Sequence, residues 1–169
     1  IDEDGRERKV SGPFSQEDLV RRGKLYAIRR DPASVKLDSR IVTRPKSIEI
    51  VRKLSEHFSQ GHREALVMMA TGTGKTRVAM AIINVLINAN IVRNVLFLAD
   101  RIALVNQAKS SGFQQFFTEP VVDLREGFST TGRLYVSTIQ TMMSGSPQRM
   151  VDRFSPGFFD LIVFDEAHR

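Results

Sequence analysis

The chain has 169 residues, 41% of them apolar and 26% charged, and it contains no cysteine. This size suits one domain with an ordinary core. The lack of cysteine excludes disulfides and thiolate metal sites, and with neither a signal-peptide pattern nor a long apolar span the expected setting is the cytoplasm. A net charge of +6 and a pI near 10.1 fit a polyanionic partner, because lysine and arginine release the counterions condensed on nucleic acid.

Residues 1–13 are polar. Glu7-Arg8-Lys9 has the Glu-x-Lys spacing of metal-dependent nucleases, but no apolar strand carries it, so no nuclease site is read there. Phe14 to Arg22 predicts a short helix, with Ser15 as its cap and Glu17 and Asp18 in its first turn. The basic groups Arg21-Arg22-Gly23-Lys24 and Arg29-Arg30 read equally as a solvated helix face or connector and as a DNA patch. Residues 1–45 are taken as a connector, of which 23–45 lead into the main domain at 46–169. From Ile41 the chain enters an amphipathic helix with Ile48, Val51, Leu54 and Phe58 on one face.

Glu64 to Ala70 is apolar enough for a buried parallel strand, and Arg77 to Asn90 has the pattern of a helix packed on it. Between them lies Thr71-Gly72-Thr73-Gly74-Lys75-Thr76. Backbone N–H groups of such a turn form an anion nest at a helix N-terminus, and Gly72 and Gly74 remove the Cβ atoms that would block close approach. Lys75 would reach the β and γ phosphates and Thr76 would bind magnesium. The common phosphate-loop pattern begins with glycine where this chain has Met69.

Val95 to Ala99 predicts a strand, followed by Asp100-Arg101 and a helix through Leu104, Val105, Ala108 and Phe116. Arg133 to Ser137 predicts another, with Thr138-Ile139-Gln140 opening a short helix that Thr138 can cap. A further apolar run, Phe158 to Phe164, ends in Asp165-Glu166. The first carboxylate can hold magnesium and the second can orient and deprotonate the water that attacks the γ-phosphate. His168 is either a residue coupling nucleotide to nucleic acid or a surface hydrogen-bonding group.

The combination of Ala70 to Thr76 with Asp165-Glu166-Ala167-His168 resembles superfamily two helicases and translocases. More narrowly, Val67 to Thr76, Val95 to Arg101, Tyr135 to Met142 and Asp160 to Arg169 look like the restriction (R) subunit of type I restriction-modification systems, over a stretch from about Arg44 to the C-terminus. The resemblance implies an α/β, RecA-like P-loop domain with a mainly parallel sheet flanked by helices, which hydrolyses ATP with Mg²⁺ to translocate double-stranded DNA. It also implies modification (methyltransferase) and specificity subunits as partners and a nuclease domain outside these residues. Arg101, Thr138 and Gln140 match family positions that touch DNA. A solvated arginine at a helix start is the plain alternative for Arg101, with Asp100 as a cap or orienting group. Related motors carry Arg-x-Tyr-Gln near Arg44, where this chain has Lys46 and Ser47, so a preference for ATP rests on the resemblance. In this class a further strand lies between those carrying the two nucleotide motifs and a second RecA-like domain follows, so the domain is expected to be incomplete at its C-terminal side. A repair or remodelling helicase and a nucleotide-gated assembly module without turnover are the competing readings.

Overall fold

The computed structural model describes residues 14–70, 72–145 and 148–165. Helix α1, Gln16–Ala27, starts where the Ser15 hydroxyl accepts the Asp18 amide at 3.1 Å, with Glu17 and Asp18 in the first turn and Lys24 in the last. Both charge placements suit the helix dipole. The helix runs five residues past the predicted Arg22. After a 3₁₀ turn at Pro32–Ser34, Ile41 and Val42 are buried, and α2, Pro45–Ser59, begins with proline in its first turn. Val51 is buried and Ile48, Leu54 and Phe58 pack beside it, so the predicted face is the one that meets the core.

Helix α3, Lys75–Asn88, buries Val78, Met80, Ala81, Ile82, Ile83, Val85 and Leu86, and a short turn leads into β1, Val95–Ala99. Next come α4, Ile102–Ala108; a π-helical segment, Lys109–Phe113; α5, Gln114–Phe116; β2, Val121–Asp123; and β3, Leu134–Thr138. Helix α6, Ile139–Met143, a 3₁₀ turn at Met150–Arg153 and β4, Leu161–Phe164, complete the described chain.

The four strands are parallel in the order β2-β3-β1-β4. All five residues of β1 and of β3 are buried, as expected of interior strands covered on both faces. Strand periodicity sorts their side chains into two cores. Val95, Phe97, Ala99, Leu134 and Val136 face α2, α3 and Phe113, whereas Leu96, Leu98 and Tyr135 face Met142, Phe154 and the neighbouring phenylalanines. On that second face the Tyr135 ring lies 6.2, 5.6 and 5.4 Å from those of Phe154, Phe158 and Phe159. Burial pushes the Tyr135 phenol up to about 12, and its hydroxyl donates to the Gly132 carbonyl at 2.8 Å.

Three expectations are corrected. Glu64–Ala70 forms no strand: Leu66 and Met68 are 80% and 88% exposed. An apolar run becomes a strand only when another backbone pairs with it, and no described strand does so here. The predicted strand at 158–164 begins at Leu161, because Phe158 and Phe159 turn into the aromatic cluster instead. The helix predicted to run regularly from Leu104 to Phe116 is widened by the π segment. That widening brings Gly112 against Met80, where an added Cβ would lie 3.1 Å from the sulfur, and buries Phe113 completely.

At the end of β2 the wholly buried Asp123 carboxylate accepts Arg125 Nε at 2.8 Å and Lys109 Nζ at 3.2 Å. Burial alone would raise its pKa, but the donated hydrogen bonds outweigh it and hold the group at about 2. A carboxylate depressed on folding contributes stability above its unfolded value that is lost as pH falls through the folded one. Asp123→Asn is therefore expected to cost about 2 kcal/mol at pH 7, with the gap from the parent closing between about pH 5 and pH 2. Urea titrations followed by circular dichroism check this, and a gap that stays constant across that range contradicts it.

Candidate nucleotide site

The loop before α3 has the backbone that its glycines permit. Gly72 and Gly74 sit at φ 75° and 99°, and Gly74 is the N-cap of α3. A side chain at either would be strained, yet a Cβ there meets nothing within 4 Å. The space beside both glycines is open. Thr73 closes the turn by donating its amide and hydroxyl to the Ala70 carbonyl at 3.3 and 2.6 Å, and the Thr73 carbonyl accepts Arg44 Nη1 at 3.3 Å. The first-turn amides of α3 have no preceding helical carbonyl to bond, and the helix dipole adds positive potential at the same place. Lys75 and Thr76 are half-buried in that turn.

A cavity of about 150 Å³ lies between this loop and residues 41–44, with Ser47 and Arg77 on its wall. Lys46 is exposed and lies outside this lining, whereas Ser47 is buried and forms part of it. Arg44, Ser47 and Arg77 thus join the candidate site beside the glycine turn, beyond the residues that the motifs mark. The Arg-Pro start of α2 was the available signal for Arg44. Arg77 is held by its guanidinium lying 5.5 Å from the Phe116 ring centroid.

Because a short turn joins the C-terminus of α3 to the start of β1, α3 runs against the strand direction and its N-terminus lies at the carboxyl end of the sheet. The parallel register brings the other candidates to that end. Ala99 pairs with Thr138, Leu98 pairs with Phe164, and the Asp165 amide donates to the Leu98 carbonyl at 2.8 Å. Asp165 is half-buried there. Arg101 is exposed at the N-cap of α4, where its own side chain makes no cap hydrogen bond, and its Nε lies 3.6 Å from an Asp100 carboxylate oxygen. Thr138 is buried and caps α6, accepting the Thr141 amide at 3.1 Å, while Gln140 is exposed two residues on. Thr71, Glu166 and His168 lie outside the described residues. Among the described residues, no cluster of three or more His, Cys, Asp or Glu could hold a metal, and no helix is long and apolar enough to cross a membrane.

A glycine cradle at a helix start, on the same end of an all-parallel sheet as strand-end carboxyl and hydroxyl groups, is the layout of a RecA-like domain. Residues 40–169 match the family model described as type III restriction enzyme, res subunit, and the chain belongs to that family. It is 36% identical over 123 residues to the type I restriction enzyme EcoAI endonuclease subunit of Escherichia coli, and 33% identical over 132 residues to the EcoKI endonuclease subunit of strain K12. Each match covers 72% of this chain but only 15% and 11% of those proteins, so the chain spans a small part of the relatives' length. The resemblance to restriction endonuclease subunits read from the motifs is thus met, and the family implies nucleotide binding in general.

The two roles open to Thr138 are separable. Thr138→Ser keeps the capping oxygen and is expected to leave stability within a few tenths of a kcal/mol, whereas Thr138→Val removes it and costs about 1 kcal/mol. Thermal unfolding of the two variants measures this, and equal midpoints would exclude the cap as a stabilising contact.

Proposed function

We propose that this chain is the ATP-binding and hydrolysing motor portion of a type I restriction endonuclease R subunit, with residues 46–169 forming the first RecA-like domain and 1–45 leading into it. The observation that carries the reading is the open glycine cradle at 72–74 on the same end of the sheet as Asp165. Lys75 would neutralise the β and γ phosphates while the loop amides hold them. Thr76 and Asp165 are hard oxygen donors, a set that suits Mg²⁺, which uses one or two protein oxygens and completes its shell with water and phosphate. Bound there, the ion would screen the phosphate charge. Glu166, one residue past Asp165, would orient the attacking water and take its proton.

Arg101, Thr138 and Gln140, at the ends of β1 and β3, would meet the sugar-phosphate backbone of duplex DNA. Guanidinium, hydroxyl and amide groups contact that backbone without reading bases, as an engine that must pass over any sequence requires. The relatives are named endonuclease subunits of type I restriction enzymes, which supports a role in restriction; double-stranded DNA as the track, modification (methyltransferase) and specificity subunits as partners, and a nuclease domain outside these residues follow from the motif resemblance. His168 would couple nucleotide state to the DNA-facing loops.

The test is ATP turnover by the complete parent polypeptide with and without duplex DNA. Turnover is expected to rise with DNA and to fall by about 10² or more in Lys75→Ala and Glu166→Gln. ATP binding without turnover in any DNA condition would overturn the motor reading in favour of a nucleotide-gated assembly module.

A further inference from the structure

Strand β4 carries Asp165 at its end, yet little about the strand itself fixes its position. It is four residues long and pairs only with β1 among the described residues, and Ile162 and Phe164 are 47% and 52% exposed. A slip of one residue would move every side chain to the opposite face and carry Asp165 about 3.3 Å along the strand. The side-chain burial that usually resists such a slip is weak here.

The compensating contacts lie at the strand's entrance. One oxygen of the Asp160 carboxylate accepts the backbone amides of Arg93 and Asn94, each at 3.0 Å, and also Arg21 Nη1. The Asn94 carbonyl accepts the Asp160 amide at 2.9 Å, and Asn94 Nδ2 donates to the Phe158 carbonyl at 3.0 Å. Arg21 spans the rest of the turn, with Nη2 donating to the Gly157 carbonyl at 2.6 Å and the Phe158 carbonyl at 3.1 Å. Asp18 secures Arg21 from the same helix at 3.3 Å and accepts the Ser155 hydroxyl. The side chains of Arg21 and Asp160 are 12% and 7% exposed, so these charge-assisted bonds are sheltered from solvent and their loss would leave buried groups unpaired. Gly157 permits the approach, because a Cβ there would fall 2.7 Å from the Phe14 ring and 3.1 Å from Asp18.

We propose that Arg21 and Asp160 are positioning residues that set the register of β4 against β1 and thereby the placement of Asp165 for the metal. Helix α1 precedes the 40–169 stretch matched by the family model, so the motor fold borrows its clamp from a segment outside that match. The inference rests on the metal role proposed for Asp165.

The test compares Arg21→Ala, Arg21→Lys, Asp160→Asn and Asp165→Asn in the full chain. It measures binding of a fluorescent ADP analogue over a Mg²⁺ titration, together with amide exchange at Asp165. Arg21→Ala and Asp160→Asn are expected to raise the Mg²⁺ needed for half-maximal enhancement about tenfold and to leave Mg²⁺-free binding within about twofold, the scale of losing a residue that orients a metal ligand. Arg21→Lys recovers part of the shift, because one ammonium cannot span the carboxylate and both carbonyls. Exchange at the Asp165 amide, which is bonded to Leu98, should quicken in both variants. An unchanged Mg²⁺ requirement in these variants, with the shift present in Asp165→Asn, overturns the clamp. If Asp165→Asn is itself without effect, the metal reading of Asp165 fails and amide exchange decides the clamp alone: quicker exchange upholds it and unchanged exchange overturns it.

Discussion

The parallel hydrogen-bonded register of β1 with its two neighbours is the constraint on which the rest of the structure depends. It sets Ala99 opposite Thr138 and Leu98 opposite Phe164. Parallel strands deliver all their carboxyl ends to one edge, so loops far apart in sequence emerge side by side. Asp100-Arg101, Thr138 to Gln140 and Asp165 share a neighbourhood for that reason alone. A one-residue slip of either pairing would exchange the two cores, and the sorting of Phe97 and Val136 against Leu96 and Tyr135 makes that costly for β1 and β3.

Burial is uneven across this frame. Helix α3 buries most of its apolar residues in the core it shares with α2 and the sheet, so the glycine turn at its N-terminus precedes a closely packed element. The π segment adds to that packing by bringing Gly112 against Met80, so that the helical stretch following Arg101 packs directly on the helix following the glycine turn. Strand β4, by contrast, is half-exposed and is held by polar contacts at its entrance. The glycine turn and the end of β4 that carries Asp165 thus depend on different physics: close apolar packing for one and sheltered charge-assisted hydrogen bonds for the other.

Local chemistry was legible from the sequence wherever it decides the outcome. The Ser15 and Thr138 caps, the apolar face of α2, strand β1 residue for residue, and the glycine turn are each set by neighbours within a few positions. What escaped depends on distant partners. The run from Glu64 to Ala70 has strand composition, but composition cannot supply the second backbone a strand needs. Arg21 looked like part of a solvated basic run because its partner Asp160 lies 139 residues away. The π widening was hidden because Gly112 matters only through Met80 on another helix. Arg44 and Ser47 joined the candidate site only once α2 was seen to begin beside the phosphate loop.

The most direct test of the central claim, that register gathers one nucleotide site at the carboxyl end of the sheet, is an amide NMR titration of the ¹⁵N-labelled chain with ADP and then Mg²⁺. The account predicts that ADP shifts the amides of Gly72 to Thr76 and that Mg²⁺ adds a shift at Asp165, while Asn94 and Asp160 at the opposite end of the strands stay fixed. Shifts concentrated at Asn94 and Asp160, or a silent phosphate loop at saturating nucleotide, would contradict it.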